Sequence, residues 1–100
     1  MSSDQTRRYV VAYDVVLDWR RTKIAHALES YGDRIQYSVF LVDAKPSRLL
    51  RLQAKLVHHL DLSTDSVVVC DLGLLEQGAS RRMTTIGVPR SYLGGGPLVM

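Results

Sequence analysis

The chain predicts a small α+β sandwich, with two helices on one face of a sheet. Three observations carry this. Two runs of β-formers, Tyr9-Val10-Val11-Ala12-Tyr13 and Ser66-Val67-Val68-Val69-Cys70, bracket the middle of the chain. Two stretches between them repeat apolar residues at helical spacing, and a third alternates. No internal repeat interrupts the order. One domain over 1–92 is expected, followed by a flexible, glycine-rich tail over 93–100.

The first strand is expected over 9–16, apolar on both faces except at Asp14. Asp18 is placed to cap a helix over 19–31, on which Ile24, Ala27, Leu28 and Tyr31 share a face. Gly32 stands where a helix C-cap belongs. In 34–42, Ile35, Tyr37, Val39 and Leu41 share one face and Gln36, Ser38, Phe40 and Val42 the other. This stretch is either one long strand or two short ones joined by a kink or tight turn near Ser38. Pro46 suits the first turn of a second helix. Its core stripe is Leu49, Leu52, Leu56 and Leu60, widened by Leu50 and Val57. A buried strand over 66–72, a loop over 73–82 and a last strand over 83–88, halted by Pro89, complete the order. With a hairpin in 34–42 the pattern is a ferredoxin-like βαββαβ sandwich with an extra C-terminal strand.

Composition is that of a soluble globular chain, 46% hydrophobic and 23% charged, and the net charge of +3 permits a nucleic-acid partner without demanding one. The polar start of the chain is not expected to be a signal peptide. No apolar run approaches the ~20 residues that cross a membrane. A single cysteine cannot form an internal disulfide, so a cytoplasmic location is expected, with Cys70 a packed core thiol. A domain of this size buries only about two-thirds of its unfolded surface, so pairing with a second copy would add burial.

Asp14 is the residue that the strand pattern does not explain. Alternation puts it on the face of Val10, Ala12 and Val16, where a buried carboxylate is costly unless paired. Either it pairs with Arg34 or caps the next helix, or it is a Mg²⁺ ligand, since hard cations take oxygen donors. One carboxylate is too few for a metal site, so a symmetric partner or water must supply the rest. Arg20, Arg21 and Lys23 follow at a helix start, where the dipole disfavours cations by roughly 0.3–1 kcal/mol each. They form either a solvated basic face or a seat for phosphate. Arg34 pairs with an acid or touches a phosphate. Phe40, on the face of Gln36 and Ser38, is either core, a dimer contact or a partly exposed ring that stacks on a base. His58 and His59 are adjacent on a helix and lack metal-ligand spacing, and Arg81 and Arg82 extend the basic surface.

Taken together, Tyr13-Asp14, Arg20-Arg21-Thr22-Lys23, Leu28, Tyr31-Gly32 and above all Arg34-Ile35-Gln36-Tyr37-Ser38-Val39-Phe40 closely resemble the small CRISPR-associated endoribonuclease family. That family is the smaller core protein of CRISPR adaptation, the partner of the integrase subunit. The resemblance runs over about 9–72. It implies a ferredoxin-like fold and a homodimer in which the C-terminal strand, around 84–88, packs on the partner's sheet. It implies Mg²⁺ shared between the two copies of Asp14, and metal-dependent cleavage of single-stranded RNA or double-stranded DNA. By motif position, Arg21, Lys23, Arg34 and Phe40 match residues tied to nuclease activity in some members. Leu41 stands where the family often has an acid, and Lys23 where some members have arginine. The resemblance also admits a non-catalytic DNA-binding adaptor that bridges integrase dimers. A toxin ribonuclease of related fold is a third possibility.

Overall fold

The computed structural model describes residues 5–90, and the tail expected over 93–100 lies outside them. The order is β1 (Arg7–Asp14), α1 (Asp18–Glu29), β2 (Gly32–Gln36), β3 (Val39–Ala44), α2 (Pro46–His59) and β4 (Ser66–Leu74). Two short 3₁₀ turns, Leu75–Gln77 and Ala79–Arg81, follow. The sheet runs β2-β3-β1-β4 with every neighbour antiparallel, which is the ferredoxin-like arrangement.

Residues 34–42 form two strands, with Tyr37 and Ser38 at the turn between them. A register shift between Arg34 and Gln36 sets Gln36 beside Val39, off the face it was expected to share with Phe40. Arg34 and Phe40 are register partners, as are Gly32 and Val42, so these four lie on the helical side of the hairpin. Phe40 is therefore fully buried, so of its three readings the core one holds and the partly exposed ring does not. Gly32 does not cap α1; that position is Ser30. A Cβ on Gly32 would stand 2.1 Å from the Leu41 carbonyl oxygen, so close strand approach explains the glycine.

The core lies between the helices and one sheet face. Tyr9, Val11 and Tyr13 of β1, Phe40 and Val42 of β3, Ile24 and Leu28 of α1, and Leu49, Leu52 and Leu56 of α2 make it. Leu50 and Val57, expected to widen the α2 stripe, are exposed at 66% and 53%. Asp18 sits inside the first turn of α1 rather than capping it, and Leu17 takes the cap position.

The opposite face carries no helix. Register puts Val10 beside Leu41 and Cys70, and Ala12 beside Val39 and Val68. This face is apolar and open, with Val68 63% exposed. Cys70 is exposed on it, which corrects the expected core thiol. Residues 83–88 form no strand within the single chain. They border a cavity of about 750 Å³ with Met83, Ile86 and Val88 on one side and Ile35, Gln36 and Leu41 on the other. Ile86 and Val88 are 97% and 84% exposed.

Candidate functional site

Asp14 ends β1 on the open sheet face, opposite Ser66 of β4. Its carboxylate is exposed and makes no hydrogen bond or ion pair among the described residues. It neither pairs with Arg34, which lies on the helical side, nor caps α1. Among the described residues no three His, Cys, Asp or Glu side chains gather to hold a metal. A lone exposed carboxylate fits a hard cation where a second copy and water complete the oxygen shell.

Arg34 sits across the sheet from Asp14. One of its Nη atoms donates to the Tyr13 hydroxyl at 3.0 Å, and that hydroxyl donates to the Tyr37 carbonyl at 3.3 Å. The guanidinium lies 5.3 Å from the Phe40 ring centroid and 5.5 Å from that of Tyr37. Phe40 and Tyr13 meet with centroids 6.3 Å apart. The β1 and β2–β3 aromatics thus fix the arginine from below and from the side. Arg34 and Arg21 open into one cleft of about 350 Å³, shared with Tyr13, Asp18, His26 and Tyr37. Sequence reasoning placed both arginines in a site and missed Tyr13, Tyr37 and His26. The alternation that puts Tyr13 on the face opposite Asp14 was the available signal.

The cations at the start of α1 have internal partners. Arg21 donates to the carbonyls of Val15 and Val16 and pairs with Asp18. It braces the loop that begins at Asp14. Arg20 is held by Asp65, Nε to Oδ2 at 2.8 Å and an Nη to Oδ1 at 3.3 Å. The Asp65 side chain is fully buried and also accepts the N–H groups of Val16 and Asp61, each at 3.0 Å, and the Thr64 hydroxyl at 3.2 Å. The hydrogen bond from Arg20 holds this carboxyl well below the usual range, outweighing burial, with the Val16 and Asp61 amides adding to it. The anion beside Arg20 within the chain is therefore Asp65. Asp65 stands in the sequence just before a strand, and nothing local marks its reach to the loop after β1 and to α1. Lys23 is exposed with no partner among the described residues, and so remains available to a phosphate.

A family model described as "CRISPR associated protein Cas2" matches residues 7–77. A CRISPR-associated endoribonuclease Cas2 of Rhodospirillum rubrum is 37% identical over 79 residues, covering 73% of this chain and 64% of that protein. A second from the same organism is 36% identical over 81 residues, covering 81% and 82%. Cas2 of Streptococcus pyogenes, crystallised at pH 6.5, has a TM-score of 0.68 at 29% identity, covering 80% of this chain and 99% of that one. A hypothetical protein from Thermus thermophilus has a TM-score of 0.64 at 33% identity, covering 93% and 96%. The chain spans 64% of the first Rhodospirillum relative and 52% of one from Synechocystis.

Proposed function

The chain belongs to the Cas2 family of CRISPR-associated proteins, and from that premise we propose that two copies pack through their open sheet faces to form a Mg²⁺-dependent endonuclease of CRISPR adaptation. The observation that carries this reading is the pairing of an uncovered apolar face with an unpartnered carboxylate on it. Val10, Ala12, Leu41, Val68 and Cys70 supply area that water disfavours. Asp14 ends β1 on that face, so two-fold packing brings two copies of it toward one point. Exposed Ile86 and Val88 give residues 84–88 an apolar edge to lay on the partner's sheet.

The two Asp14 carboxylates would hold the metal, which when bound activates water and stabilises charge on the scissile phosphate. Arg21 fixes the loop after Asp14 through the Val15 and Val16 carbonyls. Arg34, locked by Tyr13, Tyr37 and Phe40, offers a preorganised cation to a flanking phosphate. Phe40 acts as the floor under Arg34. The substrates are single-stranded RNA or double-stranded DNA.

The test is cleavage of each substrate with and without Mg²⁺, comparing wild type with Asp14→Ala. Mg²⁺-dependent cutting that disappears in the variant is expected. Equal cutting by both proteins would remove Asp14 from the mechanism.

One observation favours a second reading, a non-catalytic DNA-binding adaptor bridging integrase dimers in the cytoplasm. Arg20 and Arg21 are engaged internally, which leaves the cleft with few free cations for a scissile strand. Under this reading neither protein cuts, and both bind DNA and the integrase.

A further inference from the structure

Helix α2, Pro46–His59, contains no acidic residue. Its cations Arg48, Arg51 and Lys55 follow one another at i, i+3 and i+7, a spacing that keeps them on one helical face. They extend over about 10 Å along the axis at ~1.5 Å per residue. All three are exposed. The four ion pairs of the described residues, Arg7–Asp71, Arg8–Asp43, Arg20–Asp65 and Arg21–Asp18, use none of them. Two are already ordered. Arg48 donates to the Ser30 carbonyl at 3.2 Å and stands 4.3 Å from the Tyr31 ring centroid, and Lys55 stands 5.2 Å from the same ring. Tyr31 therefore pins two like charges beside the seam between α1 and α2.

We propose that this stripe is a second nucleic-acid surface, a seat for the phosphate backbone of a duplex on the helical layer, away from Asp14 and from the open sheet face. Charge complementarity selects a polyanion. The stripe has no apolar or aromatic anchor of the kind that carries protein interfaces, since exposed Leu50 and Val57 are absent from the run of cations and Val57 borders the separate groove between α2 and β4. It also has no stacking platform for unpaired bases, because Arg48 and Lys55 engage the one ring present. Like charges ordered in advance lose little side-chain freedom when phosphate arrives. In a dimer joined through the sheets, the two stripes face outward on opposite sides, so one assembly holds two duplex segments at once.

The inference rests on the nucleic-acid reading of the chain and is independent of cleavage. The test is fluorescence anisotropy with a mixed-sequence 24-base-pair DNA duplex in EDTA, over a range of salt concentrations, on Asp14→Ala protein to exclude cutting. The comparison protein adds Arg48→Gln, Arg51→Gln and Lys55→Gln. Loss of three phosphate contacts flattens the plot of log K against log salt by about 2 to 3 units. An Arg51→Glu variant is the second probe: the Arg51 side chain is exposed and makes no hydrogen bond, ion pair or ring contact among the described residues, so the variant should weaken duplex binding without lowering Tm. Unchanged affinity and slope in both variants would overturn the stripe alone. Absence of duplex binding by the unsubstituted stripe would overturn the nucleic-acid reading with it. Wild-type affinity for the duplex in the variants, combined with loss of binding to the integrase, would make the stripe a protein contact and overturn the proposal as well.

Discussion

Asp65 grips Arg20 with both carboxylate oxygens and, through Oδ1, accepts the N–H of Val16 at 3.0 Å. Val16 lies two residues beyond Asp14, so a buried carboxylate from the α2–β4 loop fixes the loop that leaves the candidate metal ligand. Its five bonds satisfy the oxygens that burial removed from water, which is the condition under which a buried charge is tolerated.

Replacing Asp65 with Ala leaves Arg20 and two backbone amides without their acceptor, while Asp65→Asn keeps one acceptor oxygen but loses the charge and the second acceptor. Tm is expected to fall in both variants, more in Asp65→Ala, and by more than in Asp18→Asn, whose carboxylate is 91% exposed. Differential scanning calorimetry on the three proteins checks the ranking; equal Tm values would mean that the network does not bind the two loops together.

The same carboxyl sets an acid limit. Its folded-state pKa is lowered, so its contribution is complete above the ordinary value of 3.8 and is lost as pH falls below that toward the folded value. Asp61, lowered first by the Ser63 hydroxyl and then by the Ser63 amide, adds in the same direction. Urea midpoints should be level near neutrality and drop below about pH 4, and the drop should be smaller in Asp65→Asn. A variant curve as steep as wild type would place the acid sensitivity elsewhere.

Asp14→Asn should change stability by no more than about 0.5 kcal/mol, because an exposed side chain without partners is being altered. Under the nuclease reading it nevertheless abolishes Mg²⁺-dependent cleavage. Chemical denaturation and the cleavage assay, run on the same preparation, separate the two effects.

Phe40→Ala removes a fully buried ring from the core and is expected to cost about 3–5 kcal/mol. Phe40→Leu keeps most of the volume and should cost less, and the loss of the ring under Arg34 should weaken nucleic-acid affinity in the folded variant. Unchanged affinity would mean that the ring does not order Arg34 for a phosphate.

Gly32→Ala places a methyl against the Leu41 carbonyl, a backbone atom that cannot swing away. The β2–β3 pair should weaken by roughly 1–3 kcal/mol, and hydrogen exchange of the hairpin amides should accelerate ahead of the rest of the sheet. Exchange that rises uniformly, or not at all, would show that the strands shift to admit the methyl.

Cys70 offers a test of the dimer face. It is exposed in the single chain, so maleimide should label it rapidly at dilution and slowly at concentrations where light scattering reports a dimer. Labelling independent of concentration would place the pairing surface away from β4.

The order from β1 to β4 apart from the break in 34–42, the core stripe Leu49-Leu52-Leu56 and the family are legible in the residues alone, because periodicity, turn residues and a contiguous motif are local properties; the strand expected over 83–88 is not formed within the single chain. Residues 34–42 show where local reading ends. Their alternation suits one strand or two, and only the tertiary structure shows that the turn falls at Tyr37 and Ser38, that Gln36 moves beside Val39, and that the face of Arg34 and Phe40 is the one under the helices. Tertiary structure alone also decided what neutralises Arg20. Asp65 is 45 residues away and meets it only after β4 pairs with β1. Likewise the two apolar faces of β1 look alike in sequence. Helices cover one of them, and the other remains open beside Asp14, because only packing across the chain determines which apolar side is buried.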